Sequence, residues 1–253
     1  MYVYQYPALK DNYNWILVCE KTSMCVGIDI YDSDTFINYV QENNLKPVAI
    51  LNTHHHNDHT GGNNQIKKHF PDIKFYASKY DMENKRIDCQ TDFLIEGDKV
   101  YIGEIELSVL DIVGHTLGHI CYFNKEIAFV GDTIFSSGCG RLFEGSPKQM
   151  YKSLEKLVKN LDLNTKIYCG HEYTLDNLKF CLSLSHNYFE NYFEKVKELR
   201  TNNKYTVPTN LEKELVFNPF FMVMNQDLKK ILGLENYNSL DAFTILREKK
   251  NHF

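Results

Sequence analysis

The stretch THHHNDHTGG, residues 53–62, places His54, His55, His56, Asp58 and His59 within six consecutive positions. Pro47 and the apolar run VAIL lead into it, which reads as a strand buried on both faces. At the end of a strand, residues two apart point the same way, so His54 and His56 share a target while His55 turns elsewhere. Asp58 and His59 fall where the chain turns, and Gly61–Gly62 permit a tight bend into the next helix. One cation cannot readily collect all four remaining groups from so short a loop, whereas two adjacent cations can.

A site for two cations needs further ligands, and three later stretches offer them. VGHTLGH supplies His115, FVGDTIF supplies Asp132 and IYCGHEY supplies His171. Each follows an apolar strand and a glycine, so all three can converge on one edge of a sheet. A carboxylate is the natural bridge between two cations, which makes Asp132 the preferred bridging residue. Histidine and carboxylate donors suit zinc, iron or manganese, and the sequence does not choose among them.

Working outward, the chain has ordinary globular composition, with 43% hydrophobic and 24% charged residues over 253 positions. A net charge of −5 argues against general attraction to nucleic acid or anionic membranes. The N-terminal stretch alternates rather than forming a secretory leader, and no apolar run reaches the length of a membrane helix. Seven cysteines, odd in number and without a CxxC pair, fit reduced thiols and a cytoplasmic protein.

Strands are expected at residues 1–9, 14–20 and 23–30, a helix at 34–44, a helix at 63–70 and a strand at 74–78. Residues 93–131 are strand-rich, SPKQMYKSLEKLVKNL (146–161) is a helix with a Ser-Pro start, and TKIYCGHE (165–172) is a last strand. Beyond about residue 175 the sequence turns helical. Two domains are therefore expected: 1–174, metal-binding and catalytic, and 175–253, α-helical.

HxHxDH followed by later His, Asp and His resembles the metallo-β-lactamase fold superfamily. GDTIFSSGCGRLFEG (131–145), GHEYT (170–174) and the ending REKKNHF narrow the resemblance to the glyoxalase II, or hydroxyacylglutathione hydrolase, family. The resemblance covers essentially the whole chain. It implies an α/β fold, an αββα sandwich followed by a smaller α-helical C-terminal domain that binds glutathione. It further implies one metal on His54, His56 and His115, a second on Asp58, His59 and His171, and Asp132 with a hydroxide bridging the two. Zinc is the expected metal at both positions, with iron and manganese as alternatives.

The activity implied is hydrolysis of S-(2-hydroxyacyl)glutathione thioesters, chiefly S-D-lactoylglutathione to glutathione and D-lactate, the second step of methylglyoxal detoxification. The hydroxide would attack the thioester carbonyl while a metal polarises its oxygen. Asp58 and Asp132 are then the catalytic carboxylates. The resemblance places Arg141, Phe143, Tyr173, Arg247 and Lys250 on the glutathione moiety. Phe143 stands where the family often has tyrosine, which removes a hydroxyl but keeps an aromatic contact. Arg247 and Lys250 are three apart and share a helix face if SLDAFTILREKK is helical; on their own they would read as a solvated face. No nucleic acid or membrane partner is expected, and a monomer is the expected state. The rival enzyme of the same fold is a glutathione persulfide dioxygenase using a single iron. Asp29 reads either as a turn residue or as a carboxylate supporting a ligand histidine. His55 and His119 have no place in the ligand count, Cys139 reads as a packed thiol, and His69, His186 and His252 as surface residues.

Overall fold

Strand β2, NYNWILVC, is buried along its whole length, which only a strand covered on both faces achieves. It lies second in a six-stranded sheet of order β1-β2-β3-β4-β5-β6, formed by Tyr2–Ala8, Asn12–Cys19, Met24–Ile28, Lys46–Leu51, Lys74–Ser78 and Asp92–Leu94. The first three strands are antiparallel and the last four parallel. This computed structural model describes residues 1–253.

By contact density the chain divides into two units. The first comprises Met1–Asp111, Leu117–Asn124 and Phe129–Gly131. Its helices are α1 (Ser33–Glu42), α2 (Asn57–Thr60), α3 (Asn63–His69) and α4 (Lys79–Glu83). Helix α1 starts at Asp32, whose side chain accepts from Thr35 N, and its Phe36, Ile37 and Val40 recur at helical spacing. They pack with Ile66 of α3 against Ile16, Val18, Cys25, Ile50 and Phe75. The alternate residues of the same strands, Trp15, Leu17, Val26 and Ile28, are buried on the sheet's other face. Strands β7 (Lys99–Ile102), β8 (Ile105–Asp111) and β9 (Ile120–Phe123) and the end of β10 (Ile127–Gly131) form further sheet here. From β9, Tyr122 donates its hydroxyl to Asn52 O at 2.9 Å.

The second unit comprises Ile112–Thr116, Lys125–Ala128 and Asp132–Phe253. A two-strand hairpin, β11 (Ile134–Phe135) and β12 (Gly138–Cys139), follows Asp132. Helix α5 (Pro147–Asn160) opens with a full capping box between Ser146 and Gln149 and buries Met150, Leu154 and Leu157. Strand β13 (Lys166–Cys169) follows, then α6 (Thr174–Leu184), α7 (His186–Thr201), β14 (Thr209–Asn210), α8 (Leu211–Phe217), α9 (Pro219–Met222), α10 (Gln226–Ile231) and α11 (Ser239–Asn251). The expected strands and long helices are present with shifts of up to three residues at their ends, the largest at β13, which stops at Cys169. Helices α2, where a turn was expected, and α4 and strands β6, β11, β12 and β14 were not expected, because two to five residues carry too little periodicity to announce themselves.

Candidate functional site

The first unit presents its donors at the ends of parallel strands β3 and β4, where Ile28 pairs with Leu51. Beyond that pair the chains diverge, and Asp29 sits in the left-handed region at φ 51°. Its carboxylate, 2% exposed, accepts Thr53 N at 2.8 Å, Thr53 Oγ1 at 2.7 Å and His59 Nδ1 at 3.0 Å. A carboxylate only accepts, so the Thr53 hydroxyl proton points to Asp29 and its oxygen takes the Nδ1 proton of His54, 3.0 Å away. Both rings thereby hold the tautomer whose Nε2 carries the lone pair, as a ligand histidine requires. Asp29 is thus a supporting carboxylate as well as a turn residue.

His54 Nε2 lies 3.1 Å from His56 Nδ1, and His59 Nε2 lies 3.4 Å from Asp58 Oδ2. Two nitrogens bound to one tetrahedral zinc at 2.0–2.1 Å stand about 3.3 Å apart. The separations therefore fit donors closing on shared cations. Asn12 Nδ2 donates to the same Asp58 oxygen at 2.9 Å and sets its direction. His55 turns away: its Nε2 meets Arg86 at 2.6 Å and its other nitrogen faces Asp81 at 3.9 Å. His119 stacks on His54, with ring centroids 4.7 Å apart and planes 14° apart. Gly131, at φ 46°, makes room for that ring, since a Cβ there would come within 2.8 Å of His119 and collide with Thr53 Oγ1.

The second unit gathers the remaining three expected ligands. Asp132 Oδ2 lies 3.5 Å from His115 Nε2 and 3.2 Å from His171 Nε2, all three residues being buried. One oxygen set between two imidazole nitrogens is the arrangement a bridging carboxylate needs. His115 Nδ1 donates to Arg141 O at 2.8 Å, so its Nε2 also holds the lone pair. Gly140 lies against this group: a Cβ there would overlap Asp132 O and come 3.3 Å from His115 Nδ1. The donor chemistry in both units fits divalent cations.

The aromatic neighbours are placed by the same residues. Phe143, 60% exposed, meets His115 edge-on at 5.2 Å, and Tyr173 stacks on His171 at 4.7 Å. Arg141 is exposed, and Lys250 is half-buried over the rings of Phe180 and Phe253. Arg247 is not on a solvated face. It is 4% exposed, lies over Phe220 and donates to the carbonyl of Cys139. Burial pushes the Cys139 thiol up to about 11, as expected of a packed cysteine.

Sequence reasoning missed Asn12 and Thr53, and it missed the side chains gripping residues 135–138. Asn218 Nδ2 donates to Phe135 O at 3.2 Å and Gly138 O at 2.9 Å, Asn177 Nδ2 to Ser136 O at 3.1 Å, and Ser137 N to Glu214 Oε2 at 2.9 Å. An Asn or Glu inside a helical stretch looks like a surface residue in sequence, so no local signal marks these.

Residues 27–171 match the metallo-beta-lactamase superfamily, and residues 172–253 match the hydroxyacylglutathione hydrolase C-terminus. A hydroxyacylglutathione hydrolase of Pectobacterium atrosepticum is 40% identical over 252 residues, covering 98% of each chain. Among solved structures, ETHE1 from Myxococcus xanthus superposes with a TM-score of 0.72 at 21% identity, over 99% of this chain and 92% of that one. A metallo-beta-lactamase from Staphylococcus aureus gives 0.65 at 21% identity, over 98% of this chain and 70% of that one. TTHA1623 in a di-iron-bound form gives 0.61 at 22% identity, over 87% and 100%. At such identities the solved structures speak to fold alone. Together the matches establish the metallo-β-lactamase fold followed by the C-terminal helical region.

Proposed function

The chain belongs to the hydroxyacylglutathione hydrolase (glyoxalase II) family of thioester-cleaving enzymes, and from that premise we propose that its substrate is S-D-lactoylglutathione. The products would be glutathione and D-lactate, placing the enzyme at the second step of methylglyoxal breakdown. The observation that carries this reading is the match of residues 172–253 to the C-terminal region particular to the family, because the sandwich alone hosts many chemistries.

In this reading residues 1–174 form the catalytic domain and 175–253 the glutathione-binding domain. His54, His56 and His115 would hold one divalent cation, and Asp58, His59 and His171 a second, with Asp132 shared. Zinc is favoured, and iron or manganese suits the same donors. When bound, such a pair acidifies a shared water and polarises a carbonyl oxygen. The Asp29–Thr53 network keeps the His54 and His59 lone pairs turned to their ligand role, and Arg141 O does the same for His115. Asp58, fixed by Asn12, orients the attacking water. A thiol of ordinary pKa, about 8.5, leaves without a strong general acid. Phe143 and Tyr173 border the two histidines of the second unit and would flank the substrate, with Arg141 and Lys250 meeting its carboxylates.

No helix of the chain is long and apolar enough to cross a membrane, and all seven cysteines are free thiols. A monomeric enzyme of the reducing cytoplasm is the proposed setting. The test incubates the metal-loaded chain with S-D-lactoylglutathione and follows loss of thioester absorbance beside metal content. Hydrolysis without oxygen consumption is expected. Rapid oxygen uptake with glutathione persulfide and negligible thioester cleavage would replace this reading with the single-iron dioxygenase.

A further inference from the structure

We infer that Thr206 and Glu172 form a positioning clamp for His171 and Tyr173, acting through the main chain that carries those two rings. The inference rests on the proposed hydrolase reading for its kinetic arm only.

Strand β13 ends at Cys169 and α6 begins at Thr174, so His171, Glu172 and Tyr173 lie in the connection between them. The rings of His171 and Tyr173 stack with centroids 4.7 Å apart and planes 3° apart. Phe135 meets both edge-on, at 5.9 Å and 5.0 Å. Glu172, the residue between the two rings, turns instead to the loop that precedes β14. Its side chain is 8% exposed, and its carboxylate accepts from Thr206 N at 2.9 Å and from Thr206 Oγ1 at 2.6 Å, with Arg200 Nη1 at 3.4 Å. A carboxylate only accepts, so the Thr206 hydroxyl proton is committed to Glu172. Thr174 Oγ1, 2.5 Å from Thr206 Oγ1 and in a residue 1% exposed, must therefore be the donor of that pair. Thr206 thus grips the chain on both sides of Tyr173.

The sheet register explains how a residue 34 positions from Glu172 arrives there. Strands β13 and β14 run antiparallel with Ile167 opposite Thr209, and that register continued outward brings Thr206 opposite Gly170. Pro208 has no N–H with which to extend the ladder, and beyond it the amide and hydroxyl of Thr206 serve as anchors. Arg200 Nη1 also donates to Lys204 O at 2.8 Å and so braces the approach to Thr206. Hydrogen bonds to an ionised carboxylate are stronger than neutral ones, and a buried partner left unpaired is costly. Two bonds of the stronger kind and one between hydroxyls meet at this single threonine. Holding residues 172 and 174 together fixes the main chain under the proposed ligand His171 and the ring stacked on it. A ligand nitrogen must keep its place within a fraction of an ångström, which a free connection between a strand and a helix does not provide.

The experiment compares Thr206→Val, which keeps the shape and the N–H but loses the hydroxyl, with Thr206→Ser, which keeps the hydroxyl. Both variants are read in the full chain. Amide hydrogen exchange and histidine-selective NMR are recorded on metal-free protein, zinc retention is measured against a competing chelator, and kcat/KM is measured on S-D-lactoylglutathione. In Thr206→Val, Glu172 Oε1 and the Thr174 hydroxyl lose the partner they share. Exchange should rise selectively at residues 170–174 and 204–207, and the His171 ring signals should shift as its stacking on Tyr173 loosens. One zinc should leave at about tenfold lower chelator strength while the other is held as in wild type, because His171 would serve only one of the two sites. A displaced ligand and flanking ring should also lower kcat/KM by about tenfold. Thr206→Ser should restore all four readouts. The inference is overturned if Thr206→Val alters exchange at 204–207 alone and leaves the His171 signals and zinc retention as in wild type, since Glu172 then only ties down the loop. It is equally overturned if exchange rises evenly along the chain, β2 included, without recovery by serine. Should the wild-type chain cleave no thioester, the hydrolase reading falls, and the His171 signals, exchange and zinc retention still decide the role of Thr206 and Glu172.

Discussion

Replacing Asp29 by asparagine should disable two of the proposed metal ligands, His54 and His59, without touching either. Asparagine tolerates the left-handed backbone at φ 51°, so the change tests the carboxylate and not the turn. The native carboxylate accepts three hydrogen bonds, two of them on Oδ2. If the amide group takes the Oδ2 position, it faces Thr53 Oγ1 and His59 Nδ1 as a donor. The Thr53 hydroxyl must then reverse and donate to His54 Nδ1, and His59 Nδ1 must become an acceptor. Both rings would move their proton to Nε2, the atom each offers as a ligand. If the amide group takes the Oδ1 position, it confronts Thr53 N at 2.8 Å, leaving a buried donor unsatisfied at a cost of about 1–3 kcal/mol. Only this second arrangement keeps both ligand tautomers, so metal binding must bear its cost, and the loss in metal affinity should be about ten- to a hundredfold, or roughly 1.4–2.7 kcal/mol. Chelator competition on the zinc-loaded variant measures it directly, with circular dichroism confirming the fold. A variant that held two zinc ions as tightly as wild type would refute the tautomer argument.

Asp132→Asn should lower metal content and turnover together, because one oxygen serves both His115 and His171; two tightly held metals with normal hydrolysis would remove Asp132 from that role. His55→Ala is its control and should retain most activity, since that ring turns to Arg86. Glu214 offers a pH test. Burial raises its pKa above the ordinary carboxylate value, against the opposing hydrogen bonds from Thr209, Asn218 and Ser137 and the charge of Lys213. It therefore binds its proton more tightly folded than unfolded. The resulting stability is fully present below the unfolded pKa, about 4.3, and is lost as pH rises through the folded pKa. Glu214→Gln keeps the acceptor for Ser137 N and Asn218 Nδ2, and the Thr209 hydroxyl can turn to accept from the new amide. In denaturant unfolding, the advantage of wild type over Glu214→Gln should shrink from pH 4 to pH 7; a flat or growing difference would contradict the shift.

How much of this was legible in the sequence follows from where each interaction closes. The histidine–aspartate loop declares itself because His54, His56, Asp58 and His59 lie within six residues, and their types have few other reasons to crowd together. His115, Asp132 and His171 were legible because each ends an apolar strand after a glycine, and the sheets explain why such positions meet. The groups that aim these side chains were not legible. Asn12 reaches Asp58 across 46 positions, Glu214 reaches Ser137 across 77 and Arg247 reaches Cys139 across 108. A carboxamide or guanidinium that bonds a distant backbone leaves no local pattern, only a polar residue on a helix. For Arg247, spacing with Lys250 taken on its own suggested a shared solvated face, whereas the structure buries Arg247 and leaves Lys250 half open.

That asymmetry bears on why a hydrolase of this fold carries a helical extension. Asp132 and His115 border a hairpin of two-residue strands, too short to hold its own geometry by pairing alone. Asn177 of α6, Glu214 of α8, Asn218 and Arg247 of α11 each spend a buried polar group on one of its backbone positions. Ligand atoms must keep their place within a fraction of an ångström for a dinuclear site to function. Four polar grips from three helices and a helix cap supply that rigidity to the hairpin, so in the proposed two-metal site the helical region would carry part of the ligand geometry as well as any surface it offers to substrate.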